Sequence, residues 1–145
     1  MVLNNRLFLL FGLMLIVAFT AGCNPTPKVS QISGTVTFKG QPVPAGYVTF
    51  TPDVATGTLG QVVGFQIKDG KYDSTANTPP GLPPGSYKIR IGGFDGVKIP
   101  MWGQGKQIFN PIEDDCTVTE GSSTKDFEIP ASAGQNVKIE PTADT

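Results

Sequence analysis

The chain has 145 residues and a formal net charge of −1, from 11 Lys+Arg against 12 Asp+Glu, which suits one ordinary domain and is too short for two. It has no histidine, which removes Ser-His-Asp and Cys-His catalysis and the usual zinc ligand sets, and it lacks the basic excess of a nucleic-acid binder. All 13 prolines and 16 of the 18 glycines follow residue 22, and the longest stretch there without either is nine residues (112–120), so a helical fold is excluded and short strands with many turns remain.

The first 22 residues stand apart. Residues 1–6 give a short positive start through Arg6, and residues 7–19 (LFLLFGLMLIVAF) are an unbroken apolar run. As a helix that run would reach roughly 20 Å, short of the roughly 30 Å hydrocarbon core, so it fits a signal-peptide core better than a permanent span. Without residues 1–22 the remaining 123 residues carry 10 Lys+Arg and 12 Asp+Glu, a net charge of −2. Thr20-Ala21-Gly22-Cys23 resembles the lipobox of bacterial lipoproteins, with Thr20 where that pattern usually has Leu. The resemblance implies cleavage before Cys23, a diacylglyceryl thioether on its sulfur and acylation of the new amine. It also implies export and lipid anchoring to a bacterial envelope membrane, facing the periplasm or the cell surface. Ordinary secretory cleavage with Cys23 a bystander is the alternative. Residues 24–28 (NPTPK) form a Pro-rich tether that spans about 15 Å in polyproline II geometry.

From residue 29 the pattern has period two. Residues 29–38 place Ile32, Val36 and Phe38 on one face, and Lys39-Gly40-Gln41-Pro42 turns the chain. Residues 47–52 point Val48 and Phe50 inward; residues 61–68 do so with Val63, Phe65 and Ile67. Asp69-Gly70 is a hairpin signal leading into Lys71-Tyr72-Asp73. In residues 86–91, Tyr87, Ile89 and Ile91 alternate with Ser86, Lys88 and Arg90. Residues 115–119 carry Cys116 and Val118 inward, residues 124–129 carry Phe127 and Ile129, and a weaker strand is expected over 136–140. Seven or eight short alternating segments predict one antiparallel β-sandwich over residues 29–140, followed by a tail at 141–145.

Several of these residues together resemble a family. Ile32-Ser33-Gly34-Thr35-Val36-Thr37-Phe38, the Gly40-Gln41-Pro42-Val43-Pro44 turn, Tyr47-Val48-Thr49-Phe50 and Asp69-Gly70-Lys71-Tyr72 are similar to carboxypeptidase regulatory-like domains. So is residues 81–91 (GLPPGSYKIRI), with its Pro-Gly-x-Tyr strand entry. The resemblance covers roughly residues 29–91. It implies a transthyretin-like Greek-key sandwich with no catalytic residues of its own.

Candidate sites are few. Tyr87, two residues after Gly85, is placed like a tyrosine corner, whose phenol bonds an upstream backbone group; a plain core tyrosine is the alternative. Residues 92–111 read as one long irregular stretch holding Phe94, Met101, Trp102 and Phe109, the candidate ligand or partner loop. There Trp102 would stack on a sugar or anchor a protein partner, whereas the competing and favoured reading has these apolar groups closing one side of the sandwich. Glu113-Asp114-Asp115 is the only acidic cluster and is expected as a solvated turn. Paired carboxylates for glycoside hydrolysis would have to face one another, and calcium-loop spacing is missing. Cys116 is expected as a buried thiol, with a Cys23–Cys116 disulfide as the rival if Cys23 is not lipidated. The expected function is a membrane-anchored, non-catalytic envelope lipoprotein without metal or cofactor, acting as a binding or structural module. Its partners would be the membrane through the Cys23 lipid and an envelope protein or polysaccharide, not nucleic acid. The alternative is a carbohydrate-active enzyme or sugar-binding accessory using the 92–111 loop.

Overall fold

The computed structural model describes residues 28–77, 80–98 and 103–137. The expected signal segment, Cys23, Met101, Trp102, positions 138–140 of the expected last strand and the 141–145 tail lie outside the described residues. The described chain is all-β. Its strands are β1 (Gln31–Phe38), β2 (Gln41–Pro42), β3 (Ala45–Pro52), β4 (Val63–Lys68), β5 (Lys71–Asp73), β6 (Gly85–Phe94), β7 (Gln107–Val118), β8 (Ser122–Thr124) and β9 (Phe127–Ile129). Short 3-10 turns lie at Val54–Thr56, Ser74–Ala76 and Ala131–Gly134.

These strands form a curled sheet in the order β2-β1-β5-β4-β3-β6-β7, every neighbouring pair antiparallel. Alternation built it as the sequence suggested: Ile32, Val36, Val48, Phe50, Phe65, Ile67, Tyr87, Ile89 and Ile91 are all at most 2% exposed. Phe50 lies at the centre, with its ring 5.4 Å from Phe65, 6.0 Å from Tyr87 and 6.3 Å from Tyr72. The curl brings distant strands together, so Phe38 of β1 meets Phe109 of β7 at 5.2 Å between ring centroids.

Three expectations are corrected. Residues 124–129 are not one antiparallel strand. They contribute the end of β8 and all of β9, which both run parallel to β1 on the side away from β5 and β2. Between them the Asp126 carboxylate replaces the ladder, accepting from the Thr35 N–H at 2.7 Å and the Thr35 hydroxyl at 2.8 Å. Gly34 is needed opposite this break, because a Cβ there would fall onto the Lys125 carbonyl oxygen. Second, residues 92–111 are not one irregular stretch, because both of its ends are strand. β6 runs through Phe94 and β7 begins at Gln107, leaving 95–106 as the connection. Gly92 and Gly93 sit inside β6 because aromatic rings fill the space of their missing side chains, Tyr47 over Gly92 and Phe109 over Gly93. Third, Glu113-Asp114-Asp115 is not a turn but the middle of β7, in register with Arg90, Ile89 and Lys88. Of the weak final strand, Asn136 and Val137 are not in strand conformation.

The sheet has two ends of different character. At one, here the loop pole, lie the Lys39-Gly40 and Asp69-Gly70 turns and the 95–106 connection, because Ala45 is in register with both Lys68 and Phe94. At the other, the tether pole, the chain enters at Lys28, Ser30 bridges Leu82, and the 53–62 connection joins β3 to β4. The ten residues of β6 separate the poles by about 30 Å at strand rise.

Candidate functional site

The β6–β7 connection is held at its neck by Asp95. Its N–H donates to the Lys106 carbonyl at 2.9 Å, and its carboxylate accepts from the Val97 N–H at 3.0 Å and the Lys106 N–H at 2.9 Å. Gly105, at φ +90°, is required there, because a Cβ would collide with that carboxylate. Of the expected loop residues, Phe109 is fully buried in β7 and packs against Phe38, so it belongs to the core and not to a recognition surface. Phe94 is half-buried on the outer face of β6.

Phe94 has a partner that sequence reasoning missed. Tyr47, on the outward parity of β3, lies with its ring 6.3 Å from that of Phe94 and flat over Gly92. The hydroxyls of Tyr72 and Tyr87 are tied to the carbonyls of Lys125 and Pro83, whereas that of Tyr47 has no hydrogen-bond partner among the described residues. The outward row beside it reads Lys68, Ala45, Phe94, Gln107 across four strands. Next to Lys68 is a shallow concavity of about 570 Å³, lined among others by Gln66, Lys71, Asp73 and Asn77. Lys68, Lys71, Lys98 and Lys106 have no carboxylate partner among the described residues. This end therefore offers two half-buried rings, the Gln66 amide and unpaired ammonium groups, which suits binding of a polar or anionic surface.

The acidic cluster is engaged differently. Asp115 pairs with Lys88 at 2.7 Å, and that hydrogen bond raises the lysine pKa. Asp114, on the opposite parity, meets Lys125 at 3.9 Å and caps the Asp115 N–H at 2.8 Å. Together with Gln107, whose amide donates to the Phe109 carbonyl at 2.9 Å, and Pro111, which has no N–H, it blunts β7 as a sheet edge. Among the described residues no three His, Cys, Asp or Glu side chains come together as metal ligands.

Tyr87 donates its hydroxyl to the Pro83 carbonyl at 2.6 Å, four residues upstream, and burial pushes its phenol pKa up. Cys116 is 8% exposed and burial likewise raises its thiol pKa, which keeps it protonated and unreactive. Its rival partner, Cys23, lies outside the described residues. No protein-family model and no curated protein matches this chain.

Proposed function

We propose that this chain is a bacterial envelope lipoprotein whose β-domain acts without catalysis as a binding or structural module. The observation that carries the reading is Thr20-Ala21-Gly22-Cys23 directly after an apolar run too short to span a bilayer. Acyl chains on Cys23 would hold the protein in an envelope membrane, facing the periplasm or cell surface. One chain anchors only marginally, whereas two or three at one cysteine are stable. The domain itself is read as a transthyretin-like, carboxypeptidase regulatory-like Greek-key sandwich. The Asp69-Gly70 hairpin and the Tyr87–Pro83 hydrogen bond at the entry to β6 support that assignment.

Recognition belongs to the loop pole, where Phe94, Tyr47 and the unpaired lysines are presented, with an envelope protein or polysaccharide as partner. Tyr47 and Phe94 also favour the runner-up, a sugar-binding accessory, since ring faces beside amides suit the apolar and hydroxylated sides of a sugar. The enzymatic half of that alternative has less support, because Asp114 and Asp115 are each paired with a lysine. Palmitate labelling with intact-mass measurement in a bacterial host tests the assignment. Wild type should begin at Cys23 and carry added acyl mass, and Cys23→Ser should incorporate no labelled fatty acid. A wild-type protein that starts elsewhere, or starts there without acyl mass, ends the lipoprotein reading.

A further inference from the structure

Single exposed aliphatic side chains are ordinary on protein surfaces and need no explanation. Among the described residues their distribution is lopsided. Val29, Val54, Leu59 and Val62 are 50%, 75%, 78% and 60% exposed and lie at the tether pole, and of the described loop-pole residues Val97, at 60%, is comparable. Backbone contacts tie the segment that carries Leu59 and Val62 to the one that carries Val29. Gly60 lies against Pro83, the adjacent Leu82 exchanges backbone hydrogen bonds with Ser30, and Gly81 lies against Val29. The one cation at the chain entry, Lys28, pairs with Glu120 at 3.7 Å, and the carboxylates of Asp53 and Asp73 at this end accept from the Ala55 and Thr75 N–H groups.

We infer that these four side chains form a membrane-contact surface that seats the tether pole on the lipid bilayer. The inference rests on lipidation at Cys23 and adds an orientation to it. The occupant follows from where the described chain begins. Only residues 24–27 separate Cys23 from Lys28, so even a fully extended tether holds this pole within about 20 Å of the anchoring lipid. At that range the bilayer is present at high effective concentration, and a contact too weak to bind a free domain is populated. Apolar side chains then enter the interfacial region, which favours burial of their surface. The loop pole, about 30 Å away along β6, is turned outward with its rings and lysines.

The full chain, acylated in its host and reconstituted into phosphatidylethanolamine–phosphatidylglycerol vesicles, tests this. An environment-sensitive nitrobenzoxadiazole label is placed at Leu59→Cys or at Val97→Cys. The label at 59 should emit to the blue and be quenched by lipids brominated on their acyl chains, and the label at 97 should show neither effect. Adding Val54→Ser and Val62→Ser to the Leu59→Cys protein should reduce the quenching severalfold. An acylated protein whose label at 59 is as water-exposed as that at 97 overturns the inference and leaves the lipoprotein reading intact. A protein without acyl mass fails that reading instead, and the inference with it. Shielding at 59 without bromolipid quenching assigns the patch to a second copy of the chain, which also overturns the inference.

Discussion

At the loop pole the chain reverses through two-residue turns with both residues at positive φ, Lys39-Gly40 (52° and 75°) and Asp69-Gly70 (49° and 74°), and neighbouring backbone satisfies itself through the ladder. At the tether pole the connections are irregular and buried hydroxyls satisfy the backbone, whereas the one long connection of the loop pole, 95–106, is held by the Asp95 carboxylate. Ser74 Oγ accepts from the Ile32 N–H at 2.8 Å, and Thr58 Oγ1 accepts from the Ser86 N–H at 2.9 Å. The buried polar residues of the described chain, Ser30, Thr58 and Ser74, are all at this end. The difference shows where each pole can change. Hairpin turns close themselves and leave their surface side chains free for recognition, whereas the tether pole depends on hydroxyls fixed in place.

The comparison can be broken most directly at Ser74. Ser74→Ala leaves the Ile32 N–H buried without a partner and should cost about 2 kcal/mol. Lys71→Gln at the other pole should change stability by less than about 0.5 kcal/mol. Denaturant midpoints at unchanged slope measure both, and equal losses would erase the distinction between the poles.

The tyrosines sharpen it at smaller scale. Tyr87→Phe strands the Pro83 carbonyl and should cost about 1 kcal/mol, while Tyr47→Phe, which removes a hydroxyl without a protein partner, should leave the midpoint unchanged. The smallest effect concerns acid. Hydrogen bonds from Thr35 hold the Asp126 carboxyl below the usual carboxylate range, and bonds from Thr75 do so for Asp73. A folded-state pKa below the unfolded value gives stability that is present above the unfolded pKa and is lost as pH falls through the folded one. Asp126→Asn keeps an acceptor but cannot titrate, so its midpoint should fall less steeply than wild type below about pH 4. Identical acid limbs would remove Asp126 from the account.

Much of the sheet was legible because its inward sets alternate. Ile32 and Val36, Phe65 and Ile67, and Tyr87 through Ile91 could be placed from periodicity alone. Residues 92–94 and 107–111 could not, because glycine and proline ordinarily punctuate strands. Here distant rings, Tyr47 and Phe109, stand in for the missing side chains. Glu113-Asp114-Asp115 is solvated as expected, but its place inside a strand was hidden because the facing cations, Lys88 and Lys125, come from other strands and segments. The bracing of the tether pole was equally hidden, since Ser74 and Ile32 are 42 residues apart and Thr58 and Ser86 are 28. Tyr47 escaped notice because its strand was read for the residues it buries, although a tyrosine on the polar parity of a strand was the available signal.

The opposition of the two poles is tested most directly in intact envelopes, with a photo-crosslinking residue placed at Val54 or at Phe94 of the otherwise native chain. A tether pole seated on lipid predicts phospholipid adducts from position 54, and protein or polysaccharide adducts, without phospholipid, from position 94. Phospholipid adducts from position 94, or none from position 54 in an acylated protein, would contradict it.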